Sequence, residues 1–157
     1  YTIPEALIDD EKGVLPGLDG QKMSKSYKNV IPVFTETDSL RKAVMKIKTN
    51  SKEPGEPKDT ENCTIFKIYK SFSNLEEINQ LALKYKEGIA WGKAKEILFQ
   101  KLEDNLSGYK SEYTKIIGDR AHVEETLVLG SKKALEVSLP LIEQVRKAVG
   151  IKGFAKL

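Results

Sequence analysis

With 157 residues, 39% of them hydrophobic and 31% charged, the chain has the composition of a globular protein and not of a disordered one. No apolar run approaches the ~20 residues of a membrane-spanning helix, nothing at the start resembles a signal peptide, and the single cysteine, Cys63, excludes an internal disulfide and fits a reducing compartment. The net charge of +3 is uneven, −1 over residues 1–64 and +4 over residues 65–157; the C-terminal part is compatible with a phosphate-backbone partner, but composition alone favours a solvated helical surface.

The chain starts at Tyr1 and its methionines are Met23 and Met45, so it reads as a piece of something longer, processed or truncated. Residues 1–34 are short apolar runs broken by Pro4, Gly13, Pro16, Gly17, Gly20 and Pro32, which predicts irregular backbone with at most a short strand or two. "TDSLRKAVMKIK" predicts a helix with Thr37 as N-cap and Leu40, Ala43, Val44 and Ile47 at helical spacing. "TNSKEPGEPKDTEN" predicts an exposed loop and the boundary between two parts of the chain.

From Cys63 onward the pattern is helix after helix. "TIFKIYKSF" is rich in apolar residues; "SNLEEINQLALKYKEG" opens on a capping box, Ser73 with Glu76, and closes on Gly88. "WGKAKEILFQKLEDNLSGYKSEYTKIIG" places Trp91, Ala94, Leu98, Leu102 and Leu106 on one stripe. Asp119 is the expected cap of "RAHVEETLVLG", and Ser131 of a separate helix with a kink near Pro140. The fold class expected is therefore mainly α: a helical bundle preceded by an irregular segment.

Several chemistries are excluded by count. One histidine and one cysteine cannot assemble a structural zinc site. A Cys63–His122 nucleophile pair has no local support, and His122 reads as a solvated first-turn residue. The adjacent carboxylates Asp9 and Asp10, and Glu76 and Glu77, point in different directions and suit a surface better than paired catalysis. There is no Walker-type loop and no Gly-x-Gly-x-x-Gly.

What remains is "LPGLDGQKMSKSYKN", residues 15–29. Pro16, Gly17 and Gly20 allow close backbone approach to a ligand; Lys22 and Lys25 bring point charges on flexible stems, and Ser24 and Ser26 short donors. A lysine-rich surface loop is the bland reading. The glycine-punctuated lead, the pentapeptide and the helical part that follows suit instead a loop that closes over a polyanion.

Lys22-Met23-Ser24-Lys25-Ser26 resembles the KMSKS signature of class I aminoacyl-tRNA synthetases. "LPGLDGQKMSKSYKNVIPVF", "GIAWGKAKEILFQKLEDNL" and "LIEQVRKAVGIKGF" are similar to the C-terminal part of bacterial tryptophanyl-tRNA synthetases, from about Tyr1 to Phe154. The signature His-Ile-Gly-His of that family, with its nucleotide-binding sheet, would lie upstream.

The resemblance implies that residues 1–34 end a class I nucleotide-binding domain, that 35–62 form a connecting helix and loop, and that 63–157 form an anticodon-binding helical domain. It implies a tryptophan–tRNA ligase that uses ATP with Mg²⁺, L-tryptophan and tRNA-Trp, works in the cytoplasm and is a homodimer at full length, with this chain alone monomeric and inactive.

Lys22, Met23, Ser24, Lys25 and Ser26 would bind ATP, with Lys25 acting on the transition state and Lys22 holding the nucleotide. Loss of one such contact costs about 3–4 kcal/mol, by analogy with oxyanion donors. Lys84, Lys86, Lys93, Lys95 and Arg120 are the candidate tRNA contacts, around a Trp91 expected to pack in the core. A tyrosyl-tRNA synthetase piece, a stand-alone helical RNA-binding module and a helical scaffold remain alternatives. Residues 1–34, separated from their sheet, are expected to be irregular or poorly ordered.

Overall fold

The computed structural model describes residues 2–8 and 14–151. Among the described residues, five helices follow an irregular segment: α1 Thr37–Met45, α2 Thr64–Phe72, α3 Leu75–Lys86, α4 Trp91–Gly118 and α5 Arg120–Ala148. Among the described residues there is no strand; residues 14–34 contain one isolated antiparallel bridge, Pro16 with Lys22. The mainly α fold read from the sequence is the fold observed. Two compact units divide within α4, residues 1–110 and 111–157, a division that the sequence boundaries at 34 and 62 do not include.

In the first unit the apolar periodicity becomes the core. Leu40, Val44 and Ile47 from α1 and its exit meet Ile65, Phe66, Ile68 and Tyr69 of α2, Leu81 and Tyr85 of α3, and Ala94, Leu98, Phe99, Leu102 and Leu106 of α4. Helices as short as α1, α2 and α3 gain little from propensity, so burial of these stripes is what holds them helical. Trp91 is half-buried edge-on to Tyr85, with ring centroids 5.9 Å apart, as its stripe predicted. α1 is fixed along α4 by the Arg41–Glu96 ion pair, the Thr37 hydroxyl donating to Glu103, and the Lys95 ammonium donating to the Met45 carbonyl.

Local signals are shifted in three places. The N-cap of α1 is Glu36, without a side-chain bond; Thr37 is the first helical residue and donates its hydroxyl to Glu103. The capping box is Asn74 with Glu77, one residue later than read; Ser73 instead ends α2. α5 runs through Gly130 and Ser131 and through Pro140 as one helix, so the separate helix expected to start at Ser131 does not exist. Asp119 does cap α5, accepting from the His122 N–H, and His122 is exposed. Gly88 follows α3 with φ +85°, the left-handed residue a helix end favours.

The polar loop after α1 is less free than its composition suggests. Gly55 donates to the Gly88 carbonyl, and Lys58, 5% exposed, donates to the Glu53 and Glu56 carbonyls while its ammonium stands 5.3 Å from the Trp91 ring centroid. Cys63 is buried with its sulfur 3.4 Å from the Tyr85 hydroxyl. Burial, with Cys63 as a lesser cause, pushes the Tyr85 phenol far above its ordinary pKa, so it stays neutral.

The second unit has a different character. α5 has no buried residue, and Val128, Leu135 and Ile142, seven residues apart, are exposed together with Leu139.

Candidate phosphate-binding loop

The loop of interest is built on three apolar anchors. Leu15, Leu18 and Ile31 pack against the core of the first unit, and the Lys48 N–H donates to the Leu18 carbonyl. Between these anchors the backbone closes on itself. Gly17 donates to Gln21, Gly20 to Gly17, Met23 to Leu15, and Leu18 to the Asn29 carbonyl. Ser24 and Lys25 carbonyls accept from Tyr27 and Lys28 in successive turns. The expected irregular backbone is there, and it is anchored by this network.

Gly17 explains one of the glycines. A β-carbon at this position would lie 2.5 Å from the Asn29 side chain, a distance no methyl group can occupy. The Asp19 carboxylate accepts from the Gln21 N–H and the Asn29 amide. The Asn29 bond is the main reason its carboxyl is held below the usual carboxylate range, with Gln21 and the Lys48 charge adding to it.

The candidate residues fall into two groups. Lys22, Lys25 and Ser26 are exposed, and among the described residues neither lysine has an ion-pair partner; Met23 and Ser24 are half-buried. Two unpaired ammonium groups three residues apart on a backbone with its own hydrogen bonds can meet a polyanion. A cavity of about 470 Å³ lies beside the stem of this loop, lined by Leu15 and Pro16 on one side and Thr60, Glu61, Phe66 and Lys67 on the other.

The basic residues of the helical part are scattered by comparison. Lys84 and Lys86 are exposed in the last turn of α3 and Lys93 in the first turn of α4. Lys95 is turned to the Met45 carbonyl, and burial lowers its pKa. Arg120 pairs with Glu124 inside α5. Lys58, buried over Trp91, was not singled out in the sequence, since nothing in a polar loop marks one lysine as the buried one.

The model of the family described as tRNA synthetases class I (W and Y) matches residues 1–112. The chain belongs to that family. It is 40% identical over 154 residues to the tryptophan–tRNA ligase of Pseudomonas putida, covering 98% of this chain and 34% of that protein. To the tryptophan–tRNA ligase of Neisseria meningitidis it is 41% identical over 152 residues, covering 97% of this chain and 45% of that one.

A crystal structure of the Campylobacter jejuni tryptophanyl-tRNA synthetase, complexed with ADP and tryptophan, superposes with a TM-score of 0.81 at 33% identity, over 95% of this chain and 47% of that one. The chain thus spans about a third to a half of the relatives it matches, and the similarity to tryptophanyl-tRNA synthetases read from its motifs holds along nearly its whole length.

Proposed function

We propose that this chain is the part of a cytoplasmic tryptophan–tRNA ligase that carries the ATP-phosphate loop, residues 22–26, and the tRNA-binding helices. The observation that carries the reading is the loop itself: Lys22 and Lys25 exposed and unpaired among the described residues, on a backbone closed by its own hydrogen bonds. The tryptophan–tRNA ligases that match almost all of the chain favour tryptophan over tyrosine as the amino acid.

Activation is attack by the amino-acid carboxylate on the α-phosphorus of ATP, with pyrophosphate leaving. Negative charge grows on the departing oxygens, and positioned cations stabilise it most where water is excluded. Lys25 is assigned to that developing charge and Lys22 to the bound nucleotide, with Ser24 and Ser26 donating to phosphate oxygens or bracing the turn. Met23 lies between the two lysines as part of the same loop. Residues 22–26 offer ammonium and hydroxyl groups and no carboxylate, which suits phosphates; Mg²⁺ in this reading arrives coordinated to ATP.

In the helical part, Lys84, Lys86 and Lys93 are proposed to meet tRNA phosphates, with Arg120 on α5 as a further contact; Lys95 serves first to hold α1. The homodimer implied by the family would be a property of the longer enzyme.

The test is Lys25→Ala in a protein that joins this chain to a nucleotide-binding domain of the same family, assayed by ATP–pyrophosphate exchange. kcat is expected to fall about 10²–10³-fold with little change in KM for tryptophan. An unaltered kcat would remove Lys25 from the reaction.

A further inference from the structure

One side chain outside the five-residue motif shapes the loop. Asn29 is 3% exposed although it belongs to a surface segment. A carboxamide is kept out of water at little cost only where its hydrogen bonds are made. Here they are: its Oδ1 accepts from the Ser24 N–H at 2.8 Å, and its Nδ2 donates to Asp19 Oδ1 at 2.8 Å and to the Lys22 carbonyl at 3.1 Å. Both amide hydrogens are used, so the orientation of the group is fully determined.

Two of those three partners are backbone atoms of Lys22 and Ser24, the residues on either side of Met23. The chain reaches this arrangement through a left-handed residue, Lys28 with φ 52°, a conformation a lysine adopts only where its surroundings hold it there. The amide also fills the space that Gly17 leaves by lacking a β-carbon. Three positions outside the pentapeptide, Gly17, Asp19 and Lys28, therefore serve the one amide that holds the backbone of Lys22 and Ser24.

We propose that Asn29 is a positioning residue for phosphate binding: oriented by Asp19, its carboxamide fixes the Lys22–Ser24 backbone in the shape that presents Lys22 and Lys25 to one polyphosphate. The proposal rests on the reading of the loop as phosphate-binding. Without the clasp, a polyphosphate would have to order the loop as it binds, and the ordering cost is subtracted from its affinity.

The decisive variant is Asn29→Asp. It keeps the size of the side chain, removes both donors, and sets a carboxylate against Asp19 and the Lys22 carbonyl. Asp19→Asn is the conservative partner, since it retains an acceptor oxygen for Asn29. The measurement is calorimetric binding of inorganic tripolyphosphate to this chain, beside hydrogen exchange at the Ser24 amide and the thermal midpoint of the helices.

Asn29→Asp is expected to bind about tenfold or more weakly, with faster Ser24 exchange and an unchanged helical midpoint. Asp19→Asn, which keeps the acceptor oxygen but loses the charge, is expected to fall between the parent chain and Asn29→Asp, while Asp19→Ala follows Asn29→Asp. Parent binding that depends on Lys22 and Lys25 but is equal in Asn29→Asp overturns the role of Asn29 alone. Absent parent binding, or binding that survives Lys22→Ala with Lys25→Ala, overturns the reading of the loop and the Asn29 proposal with it. Loss of affinity in Asn29→Asp together with a fallen helical midpoint would also overturn it, as a general packing defect.

Discussion

At Gly17 one hydrogen atom in place of a methyl group lets the Asn29 amide enter the loop. Gly17→Ala is therefore expected to expel that amide and speed hydrogen exchange at Ser24, while the circular dichroism of the helices is unaltered; unchanged Ser24 exchange would show that the loop accommodates the methyl elsewhere. Asp19 gives the same clasp a pH dependence. Its folded-state pKa is depressed chiefly by the Asn29 bond, then by Gln21 and the charge of Lys48. A carboxyl of this kind contributes its stabilisation above its ordinary pKa of about 4 and loses it as pH falls through the lower folded value. Ser24 protection is accordingly expected to be flat from about pH 7 to 5 and to decline below about 4; a decline centred near neutrality would contradict it. The pentapeptide stood out in the sequence, because two lysines and two serines behind a glycine-punctuated lead suit a loop that meets a polyanion. Asn29 did not: its meaning comes from Asp19, Lys22 and Ser24 meeting it in space, and an asparagine near the end of a loop is ordinary turn sequence.

The helical elements were legible as far as periodicity reaches. The stripe from Trp91 to Leu106 predicted α4, and Ala94, Leu98, Leu102 and Leu106 are all buried. End signals were weaker, because neighbouring polar residues satisfy the same pattern in two frames. Ser73–Glu76 and Asn74–Glu77 both have capping-box spacing; the second forms, and Glu77 also accepts from Lys101 at 2.6 Å, tying α3 to α4. Lys101 first, and the Asn74 N–H after it, hold the Glu77 carboxyl below its usual range. Asn74→Ala is expected to cost about 1 kcal/mol in chemical denaturation. Ser73→Ala is expected to be neutral or mildly stabilising, since the Ser73 hydroxyl is buried without a hydrogen-bond partner. The opposite order would restore the earlier frame. Gly130-Ser131 misled for a related reason: glycine inside a helix costs about 1 kcal/mol, a penalty that 29 residues of α5 can absorb.

For the molecule as a whole, the two units differ in how they use apolar residues. The first buries a core drawn from four helices and hangs the loop of residues 15–29 on it through Leu15, Leu18 and Ile31. The second exposes the apolar stripe of α5, which composition alone could not distinguish from a core stripe, since both repeat at helical spacing. The central claim is that this chain serves tryptophan–tRNA ligation through the lysines of its loop. The measurement that tests it most directly is aminoacylation by a protein joining this chain to a nucleotide-binding domain of the same family, with tryptophan or tyrosine offered against tRNA-Trp and tRNA-Tyr. The account predicts charging of tRNA-Trp with tryptophan alone, lost by about 10²-fold or more in Lys25→Ala. Charging of tRNA-Tyr with tyrosine, or tryptophan charging indifferent to Lys25→Ala, would contradict it.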